Sequence, residues 1–234
     1  MKTKEIILVM YCVMASFVVN AQTDTVKAKI LDDGSQDAEK FYNSGISNFA
    51  NKNYSDALKD FDQAIALKTD FEKAYYNRGS TMFELKRYKD AVADYDKALS
   101  LLPSGETFFS RGQALYALGD KAGASGDYTK AIEVKADHAQ SYYYRGEIKF
   151  ENADYKGAID DFSEAIRIKP DYAYAYNDRG SAKRQLNDMD GAIADYKKAV
   201  ELNPKMEFTY NNLGSAKRKK GDYTGAISEY SEAI

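Results

Sequence analysis

Small and aromatic positions return along this chain at one interval. Gly stands at 45, 79, 112, 146, 180 and 214, in steps of 34, 33, 34, 34 and 34 residues. Four residues before each Gly comes a ring: Phe41, Tyr75, Phe108, Tyr142, Tyr176 and Tyr210. Twelve residues after each Gly comes Ala (57, 91, 124, 158, 192, 226), and four further on a second ring (Phe61, Tyr95, Tyr128, Phe162, Tyr196, Tyr230). Ala recurs at 64, 98, 131, 165, 199 and 233. A four-residue step is one helical turn, so each interval predicts two helices of about 12 to 15 residues. Asn51-Lys52-Asn53, Leu118-Gly119-Asp120, Asn187-Asp188 and Gly221-Asp222 mark the turns between them. Pro103, Pro170 and Pro204 follow second helices, where a missing N–H and a fixed φ stop them. Gly on the first helix and Ala on the second let the pair approach while the rings fill the gaps. That contact must outweigh the ~1 kcal/mol that each helical Gly costs against Ala.

These columns resemble the tetratricopeptide repeat, whose pattern is W-x2-L-G-x2-Y…A-x3-F…P over about 34 residues. The second interval reads Tyr75, Arg78-Gly79, Met82, Ala91, Tyr95, Ala98, Pro103; the fifth reads Tyr176, Arg179-Gly180, Lys183, Ala192, Tyr196, Ala199, Pro204. The resemblance implies an all-α fold, a right-handed superhelical solenoid of antiparallel helix pairs. About six repeats are expected, at 38–71, 72–104, 105–138, 139–172, 173–206 and 207–234. The chain departs from the pattern in places. The first aromatic is never Trp, Arg replaces Leu before Gly in four repeats, and Thr69 and Ala136 stand where Pro is usual.

Two repeats stand apart. The third has the shorter step, and its second helix, Lys121–Val134, contains Gly123 and Gly126. Two Gly weaken a short helix by roughly 2 kcal/mol, so this is expected to be the softest interior helix. The sixth stops at Ile234 with Ala226, Ile227, Tyr230 and Ala233 in the buried pattern of an internal repeat. Either Tyr223–Ile234 closes the array itself or the chain is a piece of a longer protein, and the buried pattern favours the second reading.

Ahead of the repeats, Lys2 and Lys4 precede an uncharged stretch from Ile6 to Val19, which ends in Val19-Asn20-Ala21. That is the pattern of a secretory signal peptide over 1–21, too short to span a bilayer comfortably. Tyr11 before Cys12 is the wrong neighbour for a lipidated Cys. Residues 22–37 read as a polar linker. Cleavage after Ala21 would leave a chain without Cys and with a net charge of -4, the whole chain being -3 and the leader +1. The protein is thus expected in the periplasm or outside the cell, with no membrane span in the mature chain.

Composition narrows the chemistry. One Cys and one His cannot build a disulfide framework, a Cys/His metal cluster or a His-based triad. His138 falls in a junction between repeats and reads as a loop residue. The basic run Lys217-Arg218-Lys219-Lys220 ends a helix, where cations favour the dipole, and is not repeated elsewhere as a nucleic-acid face would need. Asp160, Asp161 and Glu164 share a helix, with no opposing acid or nucleophile. No enzyme activity, cofactor, metal or nucleic-acid partner is expected.

The resemblance implies that first helices line a concave groove able to hold an extended segment of another protein. With the ring before Gly counted as position 4, the groove-lining residues fall near positions 2, 5, 6, 9, 12 and 13. The candidate site residues are Tyr42, Asn43, Tyr76, Asn77, Phe109, Ser110, Tyr143, Tyr144, Asn177, Asp178, Arg184, Asn211 and Asn212. Rings bring contact area at low entropic cost, and an Asn amide can hold a peptide backbone without reading its sequence. The groove is also polarised, with Glu147 and Glu151 among several acids early on, and Arg184, Arg218 and Lys219 late. A ligand with one basic and one acidic end would have a preferred direction. The function expected is a non-catalytic interaction scaffold of the cell envelope, a monomer or part of a larger complex. A glycan-binding protein, with Tyr76, Phe109, Tyr143 and Tyr144 stacking on sugars, is the first alternative. The docking part of an enzyme continuing beyond residue 234 is the second.

Overall fold

Residues 35–233 are described by the computed structural model. The leader over 1–21 lies outside the described residues. The described chain is helical, without strands, and divides into two compact units at Leu85 and Lys86. The first unit holds α1 (Ser35–Ala50), α2 (Tyr54–Leu67) and α3 (Glu72–Glu84). The second holds α4 (Tyr88–Leu101), α5 (Gly105–Ala117), α6 (Lys121–Val134), α7 (Ala139–Glu151), α8 (Tyr155–Ile168), α9 (Ala173–Gln185), α10 (Met189–Leu202), α11 (Glu207–Lys219) and α12 (Tyr223–Glu232). Odd-numbered helices are the first of each repeat, even-numbered the second. The start of α1 corrects the linker boundary: Ser35, Gln36 and Asp37 form its first turn.

Each turn within a repeat uses a left-handed residue: Lys52, Lys86, Gly119, Ala153, Asn187 and Gly221 all have positive φ. The second helix then begins on a carboxylate cap. Asp120, Asp154, Asp188 and Asp222 accept from the N–H of Gly123, Gly157, Gly191 and Gly225 at 2.8, 3.0, 2.9 and 2.9 Å. Glycine suits the third helical position because a Cβ at Gly157 would lie 2.2 Å from Oδ2 of the Asp154 carboxylate, whose Oδ1 is the cap. Gly123 therefore belongs to a recurring cap, and only Gly126 is peculiar to α6.

Small residues and rings pack as their spacing predicts. A Cβ at Gly45, Gly112, Gly146 or Gly214 would come within 2.6 to 2.8 Å of the ring of Phe61, Tyr128, Phe162 or Tyr230. Ala57, Ala64, Ala124, Ala131, Ala158, Ala165, Ala192 and Ala199 have no solvent exposure. The closest approach therefore falls where a side chain would block it, and the rings occupy the space left.

The Arg before Gly has a structural role. Arg145 forms a two-pronged pair with Asp161 (2.8 and 2.7 Å) and reaches Thr129 of the preceding repeat at 3.1 Å. Arg179 does the same with Asp195 (2.9 and 2.7 Å) and Ser163 (3.1 Å). Arg111 grips Asp127 and Asp96. Each guanidinium also lies over the ring before it, at 5.4 to 5.6 Å for Phe108, Tyr142 and Tyr176. One planar fork thus joins three helices, which a Leu could not do.

Between repeats the chain turns on a buried plug just before the first helix. Phe71 and Met206 fill this place with apolar bulk. His138 fills it from the junction itself, as the cap of the helix that follows. It is 4% exposed, its Nδ1 accepts from the Ser141 N–H at 3.2 Å, and its ring lies 4.9 Å from that of Phe109. The shorter junction has Ser104 here, capping Thr107 at 3.1 Å.

Candidate functional site

In the second unit the first helices present positions 5 and 6 toward one another, 35 residues apart. The Tyr143 hydroxyl of α7 meets Asp178 Oδ2 of α9 at 2.7 Å. Asn177 Oδ1 of α9 accepts from Asn212 Nδ2 and Thr209 Oγ1 of α11, both at 3.1 Å. Phe109 of α5 packs on Tyr144 of α7 at 5.7 Å. The same offset recurs at the far end of the helices, where the Tyr116 hydroxyl donates to Glu151 at 2.8 Å. In the first unit, Asn77 Nδ2 of α3 donates to the Tyr42 hydroxyl of α1 at 3.2 Å.

These contacts correct part of the groove list. Tyr143 is 8% exposed, with Tyr144, Phe162 and Tyr172 centred 4.9 to 5.8 Å from it, so no sugar can stack on its faces. Phe109 and Tyr144 close around Tyr128 and are half-buried packing residues. Tyr42 packs on Phe71 and Phe61 at 5.0 and 6.0 Å. Asn177, at 4% exposed, spends its oxygen on α11 and its nitrogen on Asp178. The candidate asparagines Asn77 and Asn212 therefore stitch neighbouring helices, leaving those amides committed. Asn43 and Asn211 are exposed, while Tyr76 and Ser110 are half-buried.

What remains open is a cavity of about 550 Å³ over α7, α9 and α11. Every residue lining it except Phe162 comes from a first helix, and all of those fall on the positions expected. Glu147 and Asp178 form one side, Phe150 and Phe208 apolar walls, and Arg184 and Gln185 the far end. A second concavity of about 380 Å³ continues from Arg184 and Gln185 to Ser215, Arg218 and Lys219. A third, of about 660 Å³, lies over Tyr172 and Tyr174 and shares Glu147. Tyr174 and Phe208, about half exposed, stack 6.2 Å apart at its edge.

The acid side is electrostatically unusual. Asp127, Asp161 and Asp195 are all buried on arginine. Among the described residues no Lys or Arg pairs with Glu147 or Asp178. Their shared partner is the Tyr143 hydroxyl, 2.7 Å from Asp178 and 3.1 Å from Glu147. That hydroxyl has one proton for two carboxylates. Burial, and then the charge on Asp178, push the Glu147 carboxyl up to about 7. Burial also raises Asp178, against the hydrogen bonds from Tyr143 and Asn177. Burial pushes the Tyr143 hydroxyl well above the usual phenol range. At the opposite end, no carboxylate among the described residues pairs with Arg184, Arg218 or Lys219. Of their basic run, Lys217 pairs with Glu229 and Lys220 with Asp190.

Among the described residues, no group of three or more His, Cys, Asp or Glu is placed to hold a metal. None of their helices is long and apolar enough to cross a membrane.

Sequence comparison matches tetratricopeptide-repeat families at residues 72–104 and 173–206, at 109–173, and at 209–234. No curated protein matches the chain by sequence. Among solved structures it is similar to MamA, with 26% identity over 66% of this chain and 91% of that one, at a TM-score of 0.63. It is similar to YrrB, described as a TPR protein with an unusual peptide-binding site, with 21% identity over 78% of this chain and 94% of that one (TM-score 0.65). PilF of Pseudomonas aeruginosa shares 12% identity over 84% of this chain and 90% of that one, at 0.73. The recurring Gly–ring contacts, the helix pairs and these matches agree: the chain belongs to the tetratricopeptide-repeat family.

Proposed function

We propose that the protein is an exported, non-catalytic scaffold that binds extended segments of other proteins over its first helices. The observation that carries this reading is the cavity of about 550 Å³ built from residues of α7, α9 and α11. Its walls combine rings, amides and charges of both signs, the mixture a peptide presents in return. The basic start, apolar stretch and small-residue end of residues 1–21 support export. Family membership supports the scaffold role.

The test fills the groove. Ser181 is a half-buried lining residue of α9, and Ser181→Trp places a ring in the cavity. Random linear peptides selected on the wild-type chain should lose most of their affinity for this variant, at unchanged helicity. Equal binding to both proteins would remove the groove from consideration. Binding of soluble cell-wall fragments in place of peptides would favour the glycan reading, with the exposed Tyr174–Phe208 pair as its platform.

A further inference from the structure

The peptide-groove reading leaves open what kind of segment fits, and the charge layout over α7, α9 and α11 constrains it. Glu147 and Asp178 line the cavity without a cation, and the ring of Phe208 lines the same cavity. Arg184, Arg218 and Lys219 stand at the adjoining end without an anion. Elsewhere in this unit the buried charges are neutralised within the chain: Asp127 by Arg111, Asp161 by Arg145, Asp195 by Arg179. Left unpaired, the groove charges are arranged for partners that the chain does not supply.

We propose that the groove takes an extended segment carrying a basic side chain and, two to four residues away, an acidic one. The basic group enters between Glu147 and Asp178. It takes the carboxylate lone pairs that the single Tyr143 proton cannot fill, and its stem lies along Phe208. The acidic group meets Arg184, Arg218 and Lys219, where a guanidinium can hold a carboxylate with both prongs. Asp178 and Arg184 lie six residues apart on α9, roughly 9 Å of helix rise. An extended chain covers about 3.3 Å per residue, which sets the separation of the two charges. The two ends differ in sign, so the segment has one direction of entry.

The experiment uses the full chain and a display library of random linear peptides, followed by anisotropy titration of a labelled selected peptide and its alanine analogues. Selected peptides should share a Lys or Arg and an Asp or Glu at that spacing. Removing the basic residue should weaken binding to the wild type at least about tenfold. The same removal should matter less to Asp178→Asn or Glu147→Gln, each of which has lost one of the two complementary carboxylates. Both changes are isosteric, and thermal melts check that each variant folds. Peptides that bind without a fixed basic residue, or bind both variants as tightly as wild type, overturn this proposal and leave the groove standing. Peptides that bind Ser181→Trp as well as wild type, or no retained peptide at all, overturn the groove reading and this one with it.

Discussion

The Tyr143 hydroxyl donates across a repeat boundary to Asp178, 2.7 Å away, while Glu147 competes for the same proton at 3.1 Å. This stitch joins α7 to α9, and its two acceptors both line the cavity of about 550 Å³. It holds two carboxylates close without a cation, an arrangement that does little for stability.

Stability should therefore depend on pH through Glu147. Its folded-state pKa is about 7, above the usual carboxylate value of 4.5. The folded state then holds the proton more tightly than the unfolded one. The contribution is present below the unfolded value and lost as pH rises toward 7. Glu147→Gln should remove that loss. Discounted for the solvent contact of the carboxyl, the variant should gain ~1 kcal/mol on wild type between pH 5 and pH 8. Urea unfolding at both pH values checks this, and parallel pH profiles would refute it.

Glycines of opposite meaning can be separated. A Cβ at Gly146 would lie 2.8 Å from the Phe162 ring, so Gly146→Ala should destabilise by ~1–2 kcal/mol, overpacking exceeding the gain in helix propensity. A Cβ at Gly126 meets nothing within 4 Å, so Gly126→Ala should stabilise by ~1 kcal/mol. It should also slow amide exchange across α6 toward the rate of α8. Unchanged exchange in that variant would show that α6 is not limited by its extra glycine.

The arginine fork gives a third test. Arg145→Lys keeps the charge but loses the two-pronged grip on Asp161, which is 3% exposed. Lys149 also reaches Asp161 at 2.8 Å and softens the loss. A cost of about 2 kcal/mol is expected, read as a lower denaturation midpoint. A midpoint within error of wild type would leave the fork with no stabilising role.

Asn177 ties α9 to α11 through Asn212 and Thr209. Asn177→Ala leaves those donors and Asp178 short of partners and should cost about 2 kcal/mol. Faster exchange confined to α9, α11 and their partners would mark the stitch as local, whereas a uniform shift along the chain would argue against it.

Much of the fold could be read from the spacing of Gly, Ala and rings. A ring at Phe162 and a missing side chain at Gly146 are complementary volumes, and volume is written in residue identity. The left-handed turns were equally visible at Asn51-Lys52-Asn53, Gly119, Asn187 and Gly221, but Ala153 adopts the same φ without announcing it. The Arg–Asp fork had a signal that spacing alone underused. An acid stands immediately before the second ring in each repeat, at Asp127, Asp161 and Asp195 among others, and Arg stands sixteen residues ahead of each of these three.

The groove was only half legible. The helical period determined which positions of α7, α9 and α11 face the cavity, because side-chain direction on a helix follows from sequence number alone. It did not determine which of those groups are free. That depends on the 35-residue offset between neighbouring helices, a relation set by how the repeats stack. Stacking consumed Tyr143, Asn177 and Asn212 in contacts between helices. It left Glu147 and Asp178 without a cation, and Arg184, Arg218 and Lys219 without an anion. A sequence specifies which face a residue occupies; the availability of its polar atoms is decided by whatever tertiary packing brings within hydrogen-bond reach.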